Sequence, residues 1–127
     1  MYSMPIKVEE AIRKKLGHRC LEYIHEYIKD LFVEKPNKAL LDNIMLLKKI
    51  FHNKIRSSII FLLAQATLPV CGLISILDKE QTLISHNLSE LKKCGIIEEQ
   101  KVGKYRFYKL NKEKLRKILN DIISILD

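Results

Sequence analysis

The period of the chain changes at Gly95, and that change constrains the fold more than any other feature. From Lys79 to Cys94, Ile84, Leu88 and Leu91 recur at i, i+4 and i+7, the spacing of one helical face. Gln81, Thr82, Ser85, His86, Ser89 and Lys92 share the other side. Gly95 then stands where a helix takes a left-handed stop. Beyond it, IIEEQ, KVGK and YRFYKL read as two extended runs around a Gly-containing turn, with Tyr105, Phe107 and Lys109 alternating against Arg106, Tyr108 and Leu110. A polar-faced helix followed directly by a hairpin leaves few small folds open.

Upstream, the spacing predicts only helices. Leu21, Ile24, Ile28 and Leu31 alternate with Glu22, Glu26, Lys29 and Asp30. Gly17 divides this region into a helix from about Ile6 to Leu16 and a longer one from about His18 to Val33, which Pro36-Asn37 ends. A further helix is predicted from about Lys38 to Phe51. After His52-Asn53 the run IRSSIIFLLAQA leaves almost no polar face, so its helix belongs in the core. A short helix follows Pro69, from about Val70 to Leu77. Asn111 is placed to cap a last helix whose stripe of Leu115, Ile118, Leu119, Ile122 and Leu126 exceeds what so small a chain can cover alone.

Composition narrows the function. Four glycines and three prolines in 127 residues provide no Gly-rich phosphate loop, and 47% hydrophobic residues suffice for a core. No apolar run approaches the roughly 18 residues of a membrane span, and MYSMPIKVEEAIRKK lacks the apolar stretch of a signal peptide. The expectation is a soluble, cytoplasmic protein with no membrane partner. Three widely spaced cysteines fit a reducing compartment. Catalysis has no support: there is no Ser/His/Asp order at a strained turn, no H-E-x-x-H and no Cys-x-x-Cys. No cofactor is expected. A net charge of +8 attracts polyanions, nucleic acid first. Lys79 to Lys117 holds eleven Lys or Arg against five Glu, so +6 of that charge lies in one third of the chain.

The predicted order of helices, polar-faced helix, basic hairpin and closing helix is that of a winged helix-turn-helix. A recognition helix needs one apolar face for its own core and one face of short hydrogen-bonding side chains for base edges in the major groove. Gln81, Thr82, Ser85, His86, Ser89 and Lys92 meet that need. Lys101, Lys104 and Arg106 on the hairpin reach phosphate or a minor groove beside the inserted helix. Each residue also has a plainer role: His86 suits a solvated face, and Lys92 gains from the dipole at a helix C-terminus without any ligand. His18, His25 and His52 read as surface or helix-end residues.

The stretch LDKEQTLISHNLSELKKCGIIEEQKVGKYRFYKL resembles the signature of ArsR-type winged-helix transcriptional repressors. In that family a helix of the form Q-S-T-V-S-x-H-L-x-x-L precedes a Gly, two aliphatics, a Gly-tipped wing and a Tyr-x-Leu strand. Gln81, Ser85, Leu88, Leu91, Gly95, Ile96, Ile97, Gly103, Tyr108 and Leu110 match it in register. Asn87 stands where the family usually has His, and Leu83 where it usually has Thr; both departures bear on base preference and leave the fold alone. The resemblance implies a homodimer whose terminal helices pair, placing two recognition helices about 34 Å apart on double-stranded DNA.

That resemblance also raises the question of a sensor. Many relatives bind metals through a Cys-x-Cys pair before the recognition helix; here Cys71 matches one cysteine and Pro69 stands at the other. The last helix has no His, only Asp121 and Asp127, so no metal site is expected there. Cys20 and Cys71 remain the candidate sensor thiols, either converging with His18 on a metal or forming a disulfide as in some relatives. The plainer reading makes the cysteines buried small hydrophobes, Cys94 at the end of the recognition helix above all.

The sequence therefore predicts a mainly α fold with a small β-hairpin. Residues 1–36 form a helical dimerisation extension, 37–110 a winged helix-turn-helix core and 111–127 a dimerisation helix. The expected function is sequence-specific transcriptional regulation, by repression, without enzymatic activity and with no effector named. A protein-interaction module of the same fold and a sequence-tolerant DNA-coating protein are the alternatives.

Overall fold

The computed structural model describes residues 4–127, apart from the side chain of Cys20. The chain forms two compact units, Met1–Lys38 and Ala39–Asp127.

The first unit contains β1 (Ile6–Lys7), α1 (Val8–Leu16), α2 (Arg19–Ile28) and β2 (Phe32–Val33). α1 carries Glu9 and Glu10 in its first turn and Arg13, Lys14 and Lys15 in its last, charges that complement the helix dipole. Leu21 of α2 is buried, and so is Glu9. A buried carboxylate must be paired. Glu9 accepts from Arg13 Nη2 at 3.3 Å and shares a 2.5 Å hydrogen bond with His25 Nδ1, which ties α1 to α2.

Here the predicted helices are too long. The second ends at Ile28, not Val33, and the first begins at Val8, because Ile6–Lys7 and Phe32–Val33 pair antiparallel. Phe32 and β-branched Val33 favour the extended state. Leu31 N–H bonds back to the carbonyl of Ile28, and Leu31 O then accepts from Val8 N–H, closing the unit on itself.

The second unit carries α3 (Lys38–Ile50, its first residue at the boundary), α4 (Lys54–Leu63), β3 (Leu68–Pro69), α5 (Val70–Leu77), α6 (Gln81–Lys93), β4 (Ile97–Val102), β5 (Tyr105–Leu110) and α7 (Lys112–Ile123), with a final 3₁₀ turn. Asn53 caps α4, its side chain accepting from Arg56 N–H, and Asn111 caps α7 through Lys114 N–H. The core is continuous: Ile50 of α3, Ile59, Ile60 and Leu63 of α4, Leu73 of α5, Ile84, Leu88 and Leu91 of α6, and Ile118 of α7 are all buried. Ile96, Ile97, Tyr108 and Leu110 close it from the sheet side. The fold is mostly helical, as the patterning predicts.

The sheet has one more strand than predicted. Its order is β3-β5-β4, with Leu68 and Pro69 opposite Tyr108 and Phe107. Pro69 sits in this short edge strand, where a missing N–H is tolerated. The β4–β5 hairpin turns through Gly103 and Lys104, and only Gly103 has positive φ, as a type II′ turn requires.

Candidate nucleic-acid interface

The α5–α6 pair has helix-turn-helix form. Asp78, at φ +51°, ends α5 in the left-handed region that a short polar side chain can adopt. After Lys79 and Glu80, α6 begins at Gln81. It buries Ile84, Asn87, Leu88 and Leu91, so its orientation is fixed by the core. Its opposite face is thereby fixed too.

That face carries the predicted residues. Gln81, Thr82, His86, Ser89 and Lys92 are exposed and Ser85 is half-buried. They fall at i, i+1, i+4, i+5, i+8 and i+11 from Gln81, one side of the helix. Leu83 adds an exposed aliphatic group beside them.

The helix ends in a Schellman motif: Ile96 N–H bonds to Leu91 O and Gly95 N–H to Lys92 O. Gly95 has φ +71°, and a Cβ there would stand 2.7 Å from Lys114 Nζ. Lys114 uses that space to donate to Cys94 O at 3.0 Å, so α7 helps to cap α6. This close stop sends the chain straight into β4.

Lys101, Lys104 and Arg106 are all exposed on the hairpin. Together with Glu99, Gly103 and Tyr105 they line an open concavity of about 440 Å³. Lys104 Nζ lies 5.6 Å from the centre of the Tyr105 ring, a cation–π contact. The concavity is thus a cationic surface with one carboxylate, Glu99, in its lining.

Two residues outside the predicted set shape this surface. Glu99 of β4 binds Lys92 Nζ of α6 at 2.6 Å and lies 3.7 Å from Arg106 Nη1 of β5. The Lys92 hydrogen bond holds the Glu99 carboxyl below its ordinary value, and the Glu99 hydrogen bond raises the Lys92 ammonium above its own. Glu90 is also lowered, first by its hydrogen bond with Lys93. The second residue is Asn87. Sequence comparison made it a matter of base preference, but its side chain is buried: Oδ1 accepts from Arg56 Nε and Asn53 Nδ2, and Nδ2 donates to Leu83 O. It is a structural hub beneath the exposed polar face of α6. A polar residue on the apolar stripe at i+3 from Ile84 was the available signal.

The cysteines separate. Cys71 in α5 is exposed, so it is not a buried hydrophobe, and Cys94 is only half-buried at the end of α6. The side chain of Cys20 lies outside the described residues. Among the described residues no group of three or more His, Cys, Asp or Glu is placed to hold a metal ion. No helix among them is long and apolar enough to cross a membrane.

Comparisons with known proteins agree with this geometry. Residues 53–99, from the cap of α4 into β4, match the model of the bacterial regulatory protein arsR family. An uncharacterized HTH-type transcriptional regulator of Methanocaldococcus jannaschii is 38% identical over 72 residues, 56% of this chain and 81% of that protein. Among solved structures, HlyU from Vibrio cholerae is similar with a TM-score of 0.58 and 26% identity, over 65% of this chain and 90% of that one. The homodimeric winged helix-turn-helix DNA-binding domain of a possible ArsR-family transcriptional regulator from Mycobacterium bovis is similar with a TM-score of 0.56 and 28% identity, over 70% of this chain and 82% of that one.

Proposed function

The chain belongs to the ArsR family of bacterial regulatory proteins, and from that premise we propose that it is a homodimeric, sequence-specific regulator that binds double-stranded DNA and represses by occupying its promoter. The observation that carries this reading is the two-sidedness of α6. Its apolar side is locked into the core while Gln81, Thr82, Ser85, His86 and Ser89 face outward. Those side chains read base edges in the major groove. Lys101, Lys104 and Arg106 grip the phosphates alongside, with Lys92 at the end of the helix nearest the wing. Dimerisation through α3 and α7 places a second copy of this surface on the next half-site. The M. bovis domain, itself homodimeric, supports that assembly. We assign the protein's work to the cytoplasm, on DNA, without a cofactor.

The first unit favours a second role. Tyr23 and Tyr27, one turn apart on α2, are each 82% exposed, and Phe32 and Val33 of β2 are exposed as well. Exposed tyrosines of this kind act as interface anchors. We assign this unit to extending the dimer or holding another protein.

The test is fluorescence anisotropy of the protein on DNA from upstream of its own gene and on a shuffled duplex, at two salt concentrations. Specific binding exceeds non-specific binding by about 10³ or more at fixed salt. Equal, steeply salt-dependent binding to both duplexes replaces the regulator with a DNA-coating protein. No binding to either moves the protein-interaction role to first place.

A further inference from the structure

Glu99 is the one carboxylate among the residues lining the wing concavity. Its side chain is 16% exposed, whereas those of Lys92 and Arg106, the cations it holds, are 54% exposed. The three side chains come from three different elements: α6, β4 and β5. Both cations belong to the set assigned above to phosphate. Each therefore has two anions available, one inside the protein and one on the DNA.

We propose that Glu99 is an affinity-setting residue, an internal anion that competes with phosphate for Lys92 and Arg106, so that each phosphate contact of those cations costs the release of its carboxylate. This inference rests on the DNA-binding reading above. On a matched site, base contacts seat α6 in one register and bring phosphates to fixed positions against the wing. The cations then exchange Glu99 for phosphate, a charge-assisted contact of the same kind. On unmatched DNA the helix sits loosely and the phosphates have no fixed place. Lys92 and Arg106 stay with Glu99, and the loose complex forgoes two contacts. The cost of giving up Glu99 is therefore met in the complex where the exchange takes place, and it holds down the affinity of the matched site.

Glu98 supplies the control. It is the next residue along β4, exposed, and strand alternation places it on the other face of the hairpin. Glu98→Gln changes the net charge by the same amount as Glu99→Gln without touching the Lys92–Glu99–Arg106 cluster. Glutamine at position 99 keeps the size and a hydrogen-bond acceptor for Lys92, so the fold is preserved. Circular dichroism of each variant checks that.

The experiment measures the affinity of the parent chain, Glu99→Gln and Glu98→Gln for the upstream duplex and a shuffled duplex across a salt series. Glu99→Gln is expected to tighten binding to the upstream duplex by about tenfold and to the shuffled duplex by no more than that, so the preference holds or widens. Its salt dependence on shuffled DNA should steepen by about 0.9 in log–log slope for each cation released. Equal gains from Glu98→Gln and Glu99→Gln would overturn the proposal, because general charge would explain both. So would weaker binding of Glu99→Gln, which would make Glu99 a support for the cations. If the parent chain binds neither duplex, the DNA reading itself fails and this inference fails with it. Parent binding with an unchanged Glu99→Gln refutes this inference alone.

Discussion

Arg56 and Asn87 meet inside the second unit, where Arg56 Nε donates to Asn87 Oδ1 at 2.9 Å. Arg56 also donates from Nη1 to the carbonyl of Lys49, and Asn53 Nδ2 shares the same Asn87 oxygen at 3.2 Å. Arg56 is 8% exposed and Asn87 1%. The Arg56–Asn87 pair thus joins the end of α3, the cap of α4 and the inner side of α6.

Removing the Asn87 amide leaves the buried Arg56 Nε without its acceptor. Hydrogen bonds to charged groups contribute about 1.5–3 kcal/mol, and an unsatisfied buried donor adds its own desolvation cost. Asn87→Ala is therefore expected to lower unfolding stability by about 2–4 kcal/mol. Chemical denaturation checks it, and a loss below about 1 kcal/mol would show that water replaces the amide without difficulty.

Gly95→Ala tests the end of α6. At φ +71°, with Lys114 Nζ 2.7 Å from the new Cβ, an alanine is both strained and crowded. The expected cost is about 1–2 kcal/mol in the denaturant midpoint. Part of it should vanish in a Lys114→Ala background, because the crowding is gone while the strained φ remains. A cost identical in both backgrounds would leave backbone strain as the whole cause.

Sequence alone carried the second unit further than the first. α5 and α6 and the hairpin were legible because each keeps one period long enough to count, and Gly95 and Asn111 punctuate them. β1, β2 and β3 were not, since a two-residue strand has no period and exists only through its partner. The same limit hid the key polar residues. Nothing in the spacing marks Glu99 until Lys92 is folded against it, and Asn87 stands out only as a departure from the family pattern until Arg56 is packed against it. Spacing shows which side a residue faces, not what meets it there.

The Lys92–Glu99 pair predicts a pH window. Glu99 titrates below its ordinary value of 4.5, so its contribution is complete above about pH 4.5 and is lost as pH falls through the folded value. Lys92 titrates above 10.5, so its contribution is complete below that and is lost as pH rises through the folded value. The difference in Tm between the parent and Glu99→Gln should stay level from about pH 5.5 to 9.5 and close in acid, where a protonated Glu99 resembles glutamine. A difference that persists undiminished at about pH 2 would assign it to packing instead.

The DNA face makes two kinds of loss distinguishable. Lys104→Ala should weaken binding to all duplexes alike and lower the salt slope by about 0.9, since a phosphate contact holds no sequence information. Gln81→Ala and Ser85→Ala should instead alter which sites are preferred, by about 1–3 kcal/mol at the base pair each one reads. Anisotropy against a panel of single-base operator variants separates the two patterns. Equal losses on every duplex for Gln81→Ala would remove that residue from the reading face.

Dimerisation can be tested without disturbing the core. Leu41 and Met45, one turn apart on α3, are 44% and 54% exposed, and Ile123 at the end of α7 is 55% exposed. Asn43 Nδ2 donates to Asp121 Oδ2 at 3.2 Å, which holds these two helices together within one protomer. The inner sides of both are already committed, through Ile50 and Ile118. The outer apolar side chains are therefore free to meet a second copy, and a carboxylate there would be buried against its symmetry mate. Met45→Glu and Ile123→Glu should each keep the parent's circular dichroism yet sediment as monomers. Losing the second half-site turns an intramolecular contact back into an independent one, so affinity for a two-half-site operator should fall by about 10² or more. Variants that still sediment as dimers and hold the operator would move the dimer contact away from α3 and α7, leaving the exposed tyrosines of α2 as the next surface to substitute.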